Sequence, residues 1–186
     1  KKRLGGDLMP KRIKYRLIKG ENTINIQNCT ITGDIKFYYS SFTASNSILL
    51  GNTTTSNSDY EVNYCFTTTN YGGTGNLVLS DPLFVNPGSG DYHLQDASLC
   101  IGSGDTTNAP STDIEGNPRP NPIGSNPDIG AYENALATRL PITWHVATTG
   151  SNSNLGTANS PYSSIQTAVD AASPLDTIFI NSGTYS

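Results

Sequence analysis

The sequence predicts an all-β fold of stacked, repetitive coils with one short helix, and three observations carry that prediction. Charged residues make up only 14% of the 186-residue chain, against a usual share of about 25%, and Ser, Thr, Asn and Gly stand in their place. Residues 22–80 carry short apolar or alternating patches between Asn- and Gly-rich corners. Each patch is too small to bury a hydrophobic face alone, so neighbours must share one core. Helical periodicity occurs in a single segment, within residues 161–173. On pattern alone a β-sandwich competes. Disorder is a further rival, but a net charge of −4 with 10 Tyr and 5 Phe is unlike the highly charged, aromatic-poor composition of disordered chains.

The elements follow in order. Ile24, Ile26 and the stretch from Cys29 to Ile31 form the first patches, and Ser47 to Gly51 the next. Tyr60 to Phe66 alternates with period two, and Asn76 to Leu79 is another short strand. These pieces recur loosely, which points to irregular rungs. Residues 81–133 are dense in Pro and Gly, a composition that breaks regular elements and makes long ordered loops. Residues 134–143 read as a linker. Trp144 to Thr148 alternates as a strand, followed by a Gly, Ser and Asn loop. Within Pro161 to Ser173, Ile165, Ala168, Val169 and Ala172 fall on one helical face. Ser163 or Ser164 can cap that helix and Pro174 stops it. Asp176 to Ile180 is a buried strand.

Charge is unevenly spread. Eight of the 11 Lys and Arg lie in residues 1–19 (Lys1, Lys2, Arg3, Lys11, Arg12, Lys14, Arg16, Lys19), leaving Lys36, Arg119 and Arg139 in an acidic body. A basic arm can bind an anionic polymer. The preferred reading is a solvated strand edge guarded by Lys, and nucleic acid is not an expected partner. Residues 1–21 are therefore a basic segment of unclear status. No apolar run approaches the roughly 20 residues of a membrane-spanning helix, and no signal peptide is visible. The three cysteines, Cys29, Cys65 and Cys100, form no CxxC and no metal spacing. Buried thiols are the expected role.

Two stretches resemble a known family. Residues 81–133 contain DPLFVNPGSGDYHLQDASLCIGSGD, then DIEGNPRP, then PDIGAYE. They resemble the closing segment of secreted bacterial right-handed parallel β-helix proteins of the pectin-lyase-like superfamily. Upstream, NCTI, SNSILLGN and the VNYCF region resemble that family's last rungs. Residues 144–186 resemble the opposite end of the same fold: strand, polar loop, capping helix, first rung and Gly-Thr-Tyr turn. The resemblance implies a right-handed parallel β-helix with one short capping α-helix. Rungs and closing segment would span 22–133, a linker 134–143, and the cap and first rung of a second helix 144–186. It also implies an extracellular or bacterial cell-surface location. Because a closing segment precedes an opening one, the chain reads as a fragment of a larger tandem protein, or as a subunit whose open ends stack head to tail into a filament.

The superfamily includes polysaccharide lyases and glycoside hydrolases. A lyase needs a base and a cation to neutralise a uronate carboxylate. Lys36, Arg119 and Arg139 form no pair with a plausible groove position. A hydrolase needs carboxylates on neighbouring rungs. Asp59 and Glu61 lie on one face of a predicted strand but have no further support, and read as a solvated edge. Arg12-Ile13-Lys14 matches a short basic motif of pectin hydrolases only by three letters. His93 and His145 are too isolated for a zinc site and read as packing or surface groups. Asp81, Asp91, Asp105, Asp113 and Asp128 suit turns. Calcium is the alternative, but no D-x-D-x-D-G run is present. Thr53 to Thr55 and Thr67 to Thr69 are too few for an ice-binding face. No catalytic residue, metal ligand or cofactor is assigned. The expectation is a non-catalytic stalk, adhesin or carbohydrate-contacting module whose partner is a polysaccharide or cell-surface glycan. A fragmentary lyase or hydrolase is the alternative.

Overall fold

The computed structural model describes residues 15–19, 23–38, 41–56, 59–107 and 109–185. The basic motif Arg12-Ile13-Lys14, and most of the basic segment, lie outside them. The regular elements among the described residues are mostly strands, with one short α-helix, and the sheets are small and mainly parallel. The chain divides into two compact units, Lys1–Arg139 and Leu140–Ser186.

In the first unit the strands come in threes. The first set is β1 (Tyr15–Lys19), β2 (Thr23–Gln27) and β3 (Thr30–Ile31). The second is β4 (Asp34–Tyr38), β5 (Ser41–Ser45) and β6 (Ile48–Leu49). The third is β7 (Thr53–Ser56), β8 (Tyr60–Asn63) and β9 (Phe66–Thr67), followed by β10 (Leu77–Val78). Every third strand pairs, in parallel, giving sheets ordered β1-β4-β7, β2-β5-β8 and β3-β6-β9-β10.

The register reveals a tighter repeat than the sequence suggested. Thr23 pairs with Ser41 and Phe42 with Tyr60; Thr30 pairs with Ile48 and Ile48 with Phe66; Ile35 pairs with Thr53. Each offset is eighteen residues. The loosely recurring pieces are thus one strict period, hidden because different residues fill equivalent places. Only the first sheet's β1–β4 pair, offset by nineteen, and the β9–β10 pair, offset by eleven, depart from it.

The corner after β2, β5 and β8 explains the period. Asn28, Asn46 and Tyr64 all take left-handed backbone, with φ of 48°, 47° and 51°. Asn tolerates this conformation better than most residues, and Tyr less so. The next residue ties the corner down by donating to the carbonyl two positions back. Cys29 Sγ donates to Gln27 at 3.1 Å, Ser47 Oγ to Ser45 at 2.8 Å and Cys65 Sγ to Asn63 at 3.2 Å. Cys29 and Cys65 are therefore equivalent positions two repeats apart, with Ser47 between them.

Alternation along the strands sends one set of side chains inward. Ile24, Phe42, Ala44, Val62, Leu49 and Cys65 form a buried cluster. A second cluster joins the repeats to the following segment: Ile48 and Phe66 pack with Phe84, Leu94, Cys100, Ile101 and Ile129. Burial pushes the Cys65 and Cys100 thiols up to about 12, so both act as small apolar groups.

Residues 81–133 form a short antiparallel hairpin, β11 (Phe84–Asn86) and β12 (Asp91–Leu94), then a long ordered loop. That loop returns to the repeats where Gly130 N–H donates to the Asn46 carbonyl at 2.9 Å. Gly130 has φ of 123°, and a Cβ there would lie 2.9 Å from Ile48 Cδ1.

The second unit contains β13 (Thr143–Val146), α1 (Ile165–Ala171) and β14 (Thr177–Ile180), with β13 and β14 parallel. The helix is shorter than its sequence pattern predicts. Tyr162 bridges Val146 in extended form, so the turn before Ser164 cannot be helical. Its buried face also differs. Ala168 is fully buried, Ile165 and Ala171 pack beside Val146 and Tyr162, and Val169 is half exposed. Neither serine caps by its side chain. Asn152 Oδ1 instead accepts from Ser164 N–H at 3.0 Å and from Ser163 Oγ at 2.9 Å. Asp176 fastens this unit, accepting from Ile142 N–H at 2.8 Å, Ser173 N–H at 2.9 Å and Trp144 Nε1 at 3.1 Å.

Candidate functional site

With Ile24, Phe42, Ala44 and Val62 turned inward, the alternate residues of β2, β5 and β8 must face outward. They align in two polar rows: Asn25, Thr43 and Glu61, then Gln27, Ser45 and Asn63. Stacked amides and hydroxyls hydrogen-bond along a row, as Thr43 Oγ1 does to Asn25 Oδ1 at 3.1 Å. Across the rows, Asn63 Nδ2 donates to Glu61 Oε1 at 2.8 Å.

Asn25, Gln27, Ser45, Glu61 and Asn63 of these rows line an open groove of about 750 Å³, together with Tyr64, Thr74, Asp105 and Thr107. Thr74 and Asp105 are both fastened. Thr74 N–H donates to Asn63 Oδ1 at 2.7 Å. Fully buried Asn46 grips the second with two bonds, donating from Nδ2 to the Asp105 carbonyl at 2.7 Å and accepting from Asp105 N–H at 2.8 Å. Thr107 Oγ1 then donates to Asp105 Oδ1 at 3.3 Å. The groove brings together Glu61 and Asp105, carboxylates far apart in sequence. Asp59, paired with Glu61 on strand spacing, is exposed and is not part of the lining. That Glu61 and Asp105 line one groove left no local signal, because Asp105 arrives on a loop held by Asn46.

The cations expected of a lyase lie elsewhere. Arg119 is buried, with its Nε 2.7 Å from Glu133 Oε2 and one terminal nitrogen donating to the Gly130 carbonyl at 3.2 Å. Arg139 is buried too, and Lys36 belongs to the sheet β1-β4-β7.

The recurrent aspartates hold backbone. Asp81 accepts from Leu83 N–H, Asp91 from His93 N–H and Asp113 from Glu115 N–H, each two residues on. Asp113 also accepts from Asn117 and Glu133 N–H groups. Burial opposes its charge, but these bonds outweigh burial and hold its carboxyl below the usual range. Asp128 accepts from Gly102 N–H at 2.8 Å and Asn134 N–H at 2.7 Å. Here burial wins and pushes the carboxyl up to about 7. Burial also raises Glu133, against the pull of Arg119. Among the described residues, no group of three or more His, Cys, Asp or Glu is placed to hold a metal ion.

His93 is not isolated. Its Nδ1 lies 2.7 Å from Asp91 Oδ1 and its Nε2 3.1 Å from Glu115 Oε2, with the ring against Tyr132. Neutral imidazole has one donor and one acceptor, so only the imidazolium serves both carboxylates. Burial opposes the charge, but the two hydrogen bonds prevail and raise the His93 pKa. His145 packs against Phe179 across β13 and β14. Thr53 to Thr55 form β7 beside β4, and Thr67 lies in β9. Among the described residues, no helix is long and apolar enough to cross a membrane.

Comparison with protein-family models, curated proteins and solved structures finds no match to this chain.

Proposed function

We propose that this chain is a non-catalytic, extracellular module of a right-handed parallel β-helix protein, and that it contacts carbohydrate through the groove on β2, β5 and β8. The observation that carries the reading is the pair of in-register polar rows, Asn25-Thr43-Glu61 and Gln27-Ser45-Asn63. Side-chain amides and carboxylates fixed at regular spacing suit the hydroxyls of a repeating polymer, and Tyr64 adds an aromatic surface to the lining. The eighteen-residue register, with every third strand paired in parallel, supports a β-helix over a sandwich. Family resemblance in the closing segment supports an extracellular setting. A polysaccharide array probed with the purified chain tests the proposal. At least one polysaccharide binds, and Asn63→Ala, which removes both the bond to Glu61 and the bond to Thr74, weakens binding at least tenfold. Absence of binding across the array sinks the reading.

One observation favours a hydrolase as the second reading: Glu61 and Asp105 line the same groove, and paired carboxylates are the machinery of glycoside hydrolysis. Release of new reducing ends from a bound polysaccharide, abolished by Glu61→Gln, would establish it in place of a purely binding role.

A further inference from the structure

We propose that the groove selects an uncharged polysaccharide and rejects polyuronates. The inference rests on the carbohydrate-contact reading and names the ligand class for that site. Its basis is the lining itself. Asn25, Asn63, Thr74 and Thr107 are neutral, Glu61 and Asp105 are acidic, and among the described residues no Lys or Arg lines the groove. Three cations beyond the first nineteen residues lie away from the lining. Arg119 and Arg139 are buried, with Arg119 bound to Glu133, and Lys36 lies on another sheet.

A uronate carboxylate needs a cation or a converging set of N–H donors to replace its water. In this groove it would meet two like charges. A sugar hydroxyl has the opposite fit, since it donates to a carboxylate and accepts from an amide. Asn25 offers such an amide: its Oδ1 takes the Thr43 hydroxyl, and its Nδ2 makes no hydrogen bond among the described residues. The Glu61 carboxylate is held by Asn63 Nδ2, the Asp105 backbone by Asn46, and the Asp105 carboxylate accepts from Thr107 Oγ1. Pre-set acceptors lose little freedom on binding. Asn46 is therefore a positioning residue for Asp105.

The test is isothermal titration of the full chain against three polymers at 0.15 M and 1 M NaCl: a neutral β-glucan, polygalacturonate and chitosan. The expected result is glucan binding that changes less than threefold with salt, with no polygalacturonate binding. Asn25→Ala, an exposed substitution, weakens glucan binding at least fivefold. The double variant Glu61→Gln/Asp105→Asn weakens glucan binding and gives measurable polygalacturonate binding. Circular dichroism checks each variant's fold. Polygalacturonate binding by the unaltered chain overturns the ligand class but leaves the carbohydrate reading standing. Chitosan binding alone, lost in 1 M NaCl, overturns it too, because the groove would then be a charge trap. Glucan binding unchanged in both variants overturns the groove as its site. Absence of all binding by the folded chain removes both readings.

Discussion

The eighteen-residue repeats and the segment that follows them keep their backbones satisfied in opposite ways. In residues 23–67 the strands pair in parallel, so the ladder takes care of N–H and C=O groups and the interior is left to Phe42, Ile48, Val62 and Phe66. Residues 95–133 contain no named strand. There the N–H groups of Gly102, Glu115, Asn117, Asn121, Asp128, Glu133 and Asn134 go to the carboxylates of Asp113, Asp128 and Glu133. One region is held by repetition and apolar columns. The other is held by individual buried acids, and Arg119 is the cation bound to them at Glu133. The lesson is that buried carboxyl groups here supplement carbonyl acceptors where an irregular chain forms no ladder.

The sharpest way to break the comparison is to remove one keystone from each side. Arg119→Met leaves Glu133 and its acidic neighbours buried without their cation, and is expected to cost about 3–5 kcal/mol in urea unfolding. An isolated buried ion pair can often be replaced whole by apolar residues at little cost. Here Glu133→Leu added to Arg119→Met should recover nothing, because Asn121 and Asp128 N–H groups lose their acceptor. Recovery in the double variant would mean that the carboxylate is not serving the backbone. In the repeats, Phe66→Ala removes a side chain 1% exposed and should also cost about 3–5 kcal/mol, with no change in pH dependence.

The pH dependence separates the regions next. Asp128 holds its proton to about pH 7 in the folded chain, against an ordinary value of 3.8. The native state then binds more protons across that window, so stability falls as pH rises from about 4 to about 7. Asp128→Asn should flatten this slope, measured as urea midpoints across the window. An unchanged slope would place its origin elsewhere.

A smaller effect is expected at the surface. The raised His93 pKa contributes stability that is fully present below pH 6.5 and is lost as pH rises through the folded value. His93 and Glu115 side chains are 42% and 49% exposed, so His93→Gln should cost under about 1 kcal/mol, and only on the acidic side. A loss of equal size at pH 9 would point to ring packing on Tyr132 instead.

The strand-rich character was legible in the sequence because alternation and low charge act locally. The strict period was not. The corner it depends on is written Asn-Cys, Asn-Ser and Tyr-Cys at successive turns. A thiol and a hydroxyl do the same bonding there, which a search for identical residues passes over. Helix α1 was legible in existence and in Ile165 and Ala168 of its face, but not in Val169, which is exposed, nor in its start, which the extended Tyr162 sets. Glu61 was identified as outward-facing, but its companion Asp105 depends on Asn46, and no spacing rule connects those positions. Arg119 and Arg139, which the sequence placed in no groove, are interior, and for Arg119 the acid that holds it, Glu133, lies fourteen residues away.

The self-tied corner also bears on how such a chain could change length. Ser47 closes its turn with a bond to Ser45 inside the same repeat, and the β2-β5-β8 strands are related by a constant offset of eighteen residues. Duplicating eighteen residues would therefore lengthen each polar row by one residue. The groove would grow by one inter-strand step of about 4.8 Å. Insertions of any other size would shift inward residues off their columns. Length variants of this architecture should therefore differ by whole repeats, and the reach of the groove along a polymer would evolve in fixed increments.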